Sequence, residues 1–196
     1  MNYLLAKEYI LSKLEKDLSP NLYYHGIHHT IDVFKAVERF ATVEGVRGND
    51  LTIIKTAALY HDAGFIIQYM EHEATSVVIA RETLSDFSYS TEEIDEVCRV
   101  IDATDLRKEP ISLLQKIIRD ADLDYFGRDD FFPTSFKLYR EWNENGKKVS
   151  LKDWYYQQLK FVEKHIYFTK AAMTLRQKRK LFNLSQIREL LELNYQ

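Results

Sequence analysis

Cysteine is almost missing from this sequence. Cys98 is the only one in 196 residues, so no intramolecular disulfide can form, the core alone must hold the fold, and a reducing compartment fits. Cys98 lies in the apolar-periodic stretch EEIDEVCRVI, which reads as an inert core thiol rather than a nucleophile. Proline and glycine are scarce as well, 3 and 6 residues, which argues against an architecture of many short strands and tight turns. No long apolar run occurs. The first residues, MNYLLAKEYILSKLEKDL, are amphipathic and charged throughout, so they do not read as a signal peptide, and nothing later approaches a membrane span. A cytoplasmic protein with no membrane partner is the expectation. An excess of positive charge is also lacking: 27 Lys and Arg stand against 30 Asp and Glu, a net charge of -3, which disfavours a nucleic acid polymer as partner.

What is present is helical periodicity along nearly the whole chain. The pattern predicts an all-α, compact single-domain bundle over residues 1–196, with helices at about 2–17, 28–46, 50–62, 71–85, 91–103, 110–124, 130–145, 150–169 and 170–194. Ser90 or Thr91 can cap the stretch beginning at Glu92, and Pro110 can open a helix because its missing N–H would be unsatisfied there anyway. There is no internal repeat, low-complexity segment or linker-like composition. The cluster Arg176, Lys178, Arg179 and Lys180 in the last helix could touch a phosphate, although a packing or solvated face is the ordinary reading. A homo-oligomer is compatible with the sequence.

Three stretches carry chemistry. In YHGIHHTIDV, helical geometry puts His29 on the apolar face with Val33, Ala36, Val37 and Phe40, while His28 falls toward Lys35 and Arg39. A lone inward histidine is usually a hydrogen-bonded core residue. The second stretch, LTIIKTAALYHDAGF, ends a strongly apolar helix on His61 and Asp62, with Gly64 able to break it. Burying such an ionisable pair costs several kcal/mol unless something compensates, and a cation is the simplest compensation. In LLQKIIRDADLDYFG, Asp122 shares a face with Leu114 and Ile118, while Asp120 and Asp124 point to other sides, where they could support the ligands or meet solvent. His29, His61, Asp62 and Asp122 would form a mixed N/O site for a divalent cation (Mn, Mg, Fe, Co, Ni or Zn), incomplete enough to leave positions for water.

With these residues in order, the sequence resembles the HD-domain superfamily of metal-dependent phosphohydrolases, marked by a histidine, a His-Asp pair and a distal aspartate; the resemblance spans about residues 20–130. It implies an HD-type helical domain that hydrolyses a phosphomonoester or phosphodiester of a small, nucleotide-like molecule, with Asp62 orienting the attacking hydroxide. YHGIHHTIDV is also similar to the YHNxxHxxDV stretch of class I cyclic-nucleotide phosphodiesterases, which implies His25 as general acid and leaves His28 at the surface or supporting a ligand from behind. Gly26 replaces the asparagine of that stretch, and the rest of the larger phosphodiesterase domain is absent, so cyclic-nucleotide specificity does not follow. MEHEATSVVIARETL resembles a His-Glu-x-x-Ser stretch of small bacterial members. It implies His72 and Glu73 at a helix N-terminus facing an anionic substrate, against a reading as a merely polar first turn.

Members with a full binuclear centre carry further histidines, whereas CRVIDATDLRKEP offers Asp102, Thr104 and Asp105 only. A second cation would depend on Asp62, water and His72. Two alternatives stand beside the hydrolase: a di-iron oxygenase, which needs the missing histidines, and a metal-bound ligand-sensing domain without turnover.

Overall fold

The structure, a computed structural model, describes residues 1–194. Among these residues there are nine α-helices and no strand: α1 (Tyr3–Asp17), α2 (Ile27–Val43), α3 (Gly48–Tyr60), α4 (His72–Leu84), α5 (Thr91–Asp102), α6 (Leu113–Asp122), α7 (Phe131–Glu144), α8 (Leu151–Lys164) and α9 (Lys170–Asn194). The fold is all-α, as periodicity predicts.

Helix ends follow local chemistry more closely than periodicity does. Ser90 and Glu93 form a reciprocal capping box that opens α5, and Ser112 and Gln115 form another at α6. The second box overrides the expected start at Pro110, which stays outside α6, because Ser112 and Gln115 satisfy the first free N–H groups three residues further on. The eighth helix is also shorter than expected. It stops at Lys164, and the connection to α9 is held by Asp120, which accepts hydrogen bonds from the backbone N–H of Phe168 and from both the N–H and hydroxyl of Thr169.

α3 is apolar around most of its circumference, so it is buried on most sides. Ile54, Ala57, Ala58 and Tyr60 have no exposed surface, and α2, α5 and α6 pack against this helix. The principal core gathers the inward faces of α1 to α6. A second, aromatic core joins Tyr24, Tyr125, Phe126 and Phe131 to Val162 of α8 and to Leu184, Ile187 and Leu191 of α9. α9 spans both, since Ala171 and Ala172 at its start belong to the principal core. Its basic cluster packs: Arg176 pairs with Asp124, Arg179 with Asp129, and buried Lys180 donates to the His165 carbonyl. Cys98 is buried, as expected of a core thiol. No helix among the described residues is long and apolar enough to cross a membrane.

Candidate metal centre and active-site cavity

Three helix segments bring the ionisable residues together. His29 sits in the first turn of α2, above the buried stripe of Val33, Ala36, Val37 and Phe40. His61 and Asp62 follow the last residue of α3, where the chain tightens into a 3₁₀ turn at Ala63–Ile66. Gly64 is required in that turn, since a Cβ there would lie 2.0 Å from the His72 carbonyl oxygen. The Gly64 N–H donates to the buried Ser76 hydroxyl of α4, which ties the His-Asp corner to the start of the next helix. Asp122 is the last residue of α6.

The result is a tight cluster. His29 Nε2 is 3.1 Å from Asp122 Oδ1 and 3.5 Å from Asp62 Oδ2, and His61 Nε2 is 3.2 Å from Asp62 Oδ2 and 3.7 Å from Asp122 Oδ1. One nitrogen or oxygen from each of His29, His61 and Asp122 falls within 4.8 Å of the others. The His61 Nδ1–H donates to the Ala58 carbonyl at 2.9 Å, and since a carbonyl can only accept, the proton of the neutral ring is on Nδ1 and the lone pair on Nε2. That Nε2 and the Asp62 Oδ2 are both buried with no hydrogen-bond partner. Two orphaned donor atoms facing each other beside a histidine and a second carboxylate fit a divalent cation.

The charges are strongly interdependent. Burial works against a charged His61, but the Asp62 carboxylate and Asp122 beyond it outweigh burial and raise the ring to about 9. Burial would push the Asp62 carboxyl up, yet His61, with His72 and His25 adding to it, holds it well below its ordinary range. Asp122 is lowered against burial by its hydrogen bond to His29.

The cluster opens on a cavity of about 400 Å³ whose wall includes His25, His72, Glu73 and Thr104. His25 is gripped by a residue from far along the chain. Its Nδ1 hydrogen-bonds Glu141 Oε1 of α7 at short range, and its backbone N–H donates to Glu141 Oε2 at 3.0 Å. Glu141 is fully buried and also accepts from the Tyr24 N–H and the Tyr69 hydroxyl. Burial opposes its ionisation, but His25 and these N–H groups keep the carboxyl low. Nε2 is thereby left as the ring nitrogen of His25 available to the cavity. Phe65 stacks on His25 at 4.3 Å and on His72 at 3.9 Å between ring centroids, fixing both imidazoles. His72 Nε2 lies 3.4 Å from Asp62 Oδ1, so the two Asp62 oxygens face different partners, and His72 Nδ1 lies 3.6 Å from Glu73 Oε2. His72 is raised because Asp62 outweighs burial. His28 is exposed and does not line the cavity.

Several candidates are committed elsewhere. Asp120 is bound to Phe168 and Thr169, and Asp124 pairs with Arg176 and Arg39, so both are buried and structural rather than solvated. Asp102 pairs with Lys108, and Asp105 is gripped by two nitrogens of Arg107. Buried Arg119 donates to the carbonyls of Ala103, Asp105 and Lys108, clamping that loop to α6. Glu141 and Phe65 contact His25, and Tyr69 donates to Glu141; none of the three stands out in the sequence. The only local signal for Glu141 was its place beside Trp142 in YREWNENG, and nothing there separates it from exposed Glu144.

Comparisons with known proteins identify the family. The sequence model of the HD domain matches residues 26–124, half of the chain. An uncharacterised Clostridium beijerinckii protein is 34% identical over 86 residues, covering 42% of this chain and 53% of that protein, so the chain spans about half the length of that relative. Bacillus subtilis YpgQ, solved in complex with ADP, is similar in structure with a TM-score of 0.70 at 22% identity, covering 98% of this chain and 96% of that one. A predicted HD superfamily hydrolase from an uncultured Thermotogales bacterium gives 0.64 at 20% identity, covering 94% and 91%. Structural likeness at these identities speaks to the fold alone.

Proposed function

This chain belongs to the HD-domain family, and on that premise we propose that it is a metal-dependent phosphohydrolase acting on a phosphomonoester or phosphodiester of a small, nucleotide-like molecule. The observation that carries the reading is the pair of buried, unpartnered atoms, His61 Nε2 and Asp62 Oδ2, the second of them on a residue that lines a cavity of ligand size together with Asp122. The charge around that cavity points the same way. Asp62, Glu73 and Asp122 line it, and no lysine or arginine does, so a phosphate could enter only with a cation already balancing the carboxylates. The nucleotide part of the reading draws support from the similarly folded YpgQ, which was solved with ADP.

His29, His61, Asp62 and Asp122 would hold the cation, which when bound supplies a Lewis acid and lowers the pKa of a coordinated water. The chain does the rest. Asp62, kept ionised by its histidines, accepts a hydrogen bond from the attacking water and sets its approach. His25 Nε2 gives its proton to the leaving oxygen, while Glu141 accepts from the Nδ1–H and fixes the ring's orientation. His72 and Glu73 at the start of α4 would meet the substrate at the cavity wall, with the His72 Nε2–H shifting from Asp62 Oδ1 to a phosphate oxygen.

The test is metal analysis of the purified protein followed by a phosphate-release screen over nucleotides with Mn, Mg, Co and Ni, with and without oxygen. Release that persists anaerobically with Mg or Mn is the expected result. Product formation that requires both iron and oxygen would overturn the hydrolase reading in favour of an oxygenase, and metal binding with no turnover of any phosphoester would leave a sensing domain.

A further inference from the structure

Glu141 is held by more than the histidine it orients. Its Oε2 accepts the backbone N–H groups of Tyr24 at 2.8 Å and His25 at 3.0 Å, and its Oε1 accepts the His25 Nδ1–H together with the Tyr69 hydroxyl at 3.0 Å. Four donors thus fill the acceptor positions of one carboxylate that has no exposed surface. Three of them come from Tyr24 and His25 themselves. Tyr69 is the outsider, placed in the linker between the 3₁₀ turn at Ala63–Ile66 and the start of α4 at His72.

That linker otherwise turns outward. Ile67 is 67% exposed and Met70 64%, whereas Tyr69 is half-buried, with its ring edge-on to Phe65 at 5.3 Å and to His25 at 6.4 Å between centroids. A phenylalanine would make the same ring contacts, so what the hydroxyl adds is its bond to Oε1. Burial and the Glu141 carboxylate hold the phenol above its ordinary range, which keeps it protonated and a donor. Tyr69 is not in the cavity wall, so its influence on a substrate must pass through Glu141 and His25.

We infer that Tyr69 is a positioning residue for proton donation: its hydroxyl locks Glu141 Oε1 against the His25 Nδ1–H and thereby aims His25 Nε2 at the leaving oxygen. The two backbone N–H groups anchor Oε2 only, and a carboxylate anchored by one oxygen can still rock about it. A hydroxyl reaching Oε1 from a separate segment removes that freedom. In the reaction, the oxygen of water bonds to phosphorus as the bond to the leaving oxygen breaks, and the proton on Nε2 passes to that departing oxygen. The Nδ1–H stays on the ring and on Glu141, and the surplus proton of the attacking water later restores the Nε2–H. The inference rests on the hydrolase reading above and deepens it.

The test uses Tyr69→Phe, which keeps the ring and removes the hydroxyl. With Mn or Mg bound, kcat is measured on a nucleoside 5′-monophosphate, whose alkoxide needs a proton as it leaves, and on 4-nitrophenyl phosphate, whose phenolate does not. The ratio of the second rate to the first should rise about tenfold in the variant. Glu141→Gln should raise the same ratio, and adding Tyr69→Phe to it should raise it no further, because both act through one oxygen. A tyrosine that only ties down the linker would slow both esters alike. A second readout needs neither metal nor turnover: the His25 Nδ1–H resonance, assigned by its loss in His25→Ala, should exchange with water about tenfold faster in Tyr69→Phe. Thermal unfolding of each variant separates a lost contact from a lost fold. An unmoved ratio, additive effects of the two substitutions, or unchanged exchange in a folded Tyr69→Phe would overturn the role of Tyr69 and leave the hydrolase reading standing. Faster exchange in a protein that releases phosphate from no ester would keep the chain of contacts from Tyr69 to His25 and sink the hydrolase reading.

Discussion

Residues 26–124 and the two helices α7 and α8 contribute to one cavity in different ways. The first region supplies every candidate ligand, each within a turn of a helix end: His29 at the start of α2, His61 and Asp62 after α3, and Asp122 at the end of α6. The second supplies no ligand, yet Glu141 of α7 grips His25 across a sequence separation of 116 residues, and α8 contributes Gln158 to the far wall. Groups that hold a cation come from short local motifs, because their spacing is set by helix geometry. Groups that orient an acid or shape a pocket come from wherever the fold brings a helix past, so they leave no local pattern.

The strongest way to test this division is to remove a ligand. Asp122→Ala and His61→Ala should each abolish stoichiometric metal and lower phosphate release to background, on the order of 10⁴-fold or more, because the Lewis acid and its activated water go together. Metal content by mass spectrometry checks the first part. Full retention in both variants would move the centre elsewhere.

The His25–Glu141 pair, which joins the N-terminal stretch to the second region, should act on turnover while leaving metal in place. His25→Ala should cost about 10²–10⁴-fold in kcat. Glu141→Gln keeps the shape but not the charge, and should cost roughly 10–10²-fold, the usual scale for a group that orients a functional imidazole. Exposed His28 gives the control: His28→Ala should stay within about twofold. Comparing kcat with metal content in the three variants decides it. Equal, mild effects of His25→Ala and His28→Ala would remove the proton donor from the mechanism.

The fold class, all nine helices and the convergence of His29, His61, Asp62 and Asp122 were legible in the sequence, since each follows from 3.6-residue periodicity and from ionisable residues on apolar faces. The α6 start was misjudged because Ser112 and Gln115 cap three residues past the point Pro110 would have allowed. Asp120 and Asp124 were harder. In RDADLDYFG three aspartates alternate, and helical angle can say which faces the core beside Ile118, but not that the other two find Thr169 and Arg176. Glu141 was invisible for the same reason, because a buried glutamate and an exposed one look alike until the partner across the fold is known.

A smaller effect separates the regions by pH. Ligands must be deprotonated to bind a cation, and in the metal-free protein His61 is raised to about 9. Binding at neutral pH should therefore expel close to one proton, and affinity should climb about tenfold per pH unit until that range is reached. Reading the enthalpy in two buffers of different ionisation heat measures the proton. Affinity that levels off above pH 6.5 would mean that His61 is already neutral in the metal-free site.

The second region has its own histidine, with the opposite shift. His165 follows α8, its ring packs against Phe126 and Tyr167, and Lys180 Nζ lies 3.2 Å from its Nδ1. Burial and then the Lys180 ammonium lower it to about 3, so the folded ring stays neutral well into acid. In the unfolded chain the same ring titrates near its ordinary value, about 6.5. Between those two values the unfolded state binds a proton that the folded state refuses, so stability is fully present above pH 6.5 and is lost as pH falls through the window. At pH 5.5 the loss set by the unfolded-state value is about 1.4 kcal/mol, and it holds for any folded value well below 5.5. Urea unfolding of the metal-free protein at pH 7.5 and 5.5, beside His165→Asn, isolates this group from the other histidines. The stability gap between wild type and variant should shift by about 1.4 kcal/mol in the variant's favour on acidification. A gap that does not move with pH would mean that the ring is protonated in the folded protein despite the lysine, and that the contact with Lys180 is not what holds this end of α8 in place.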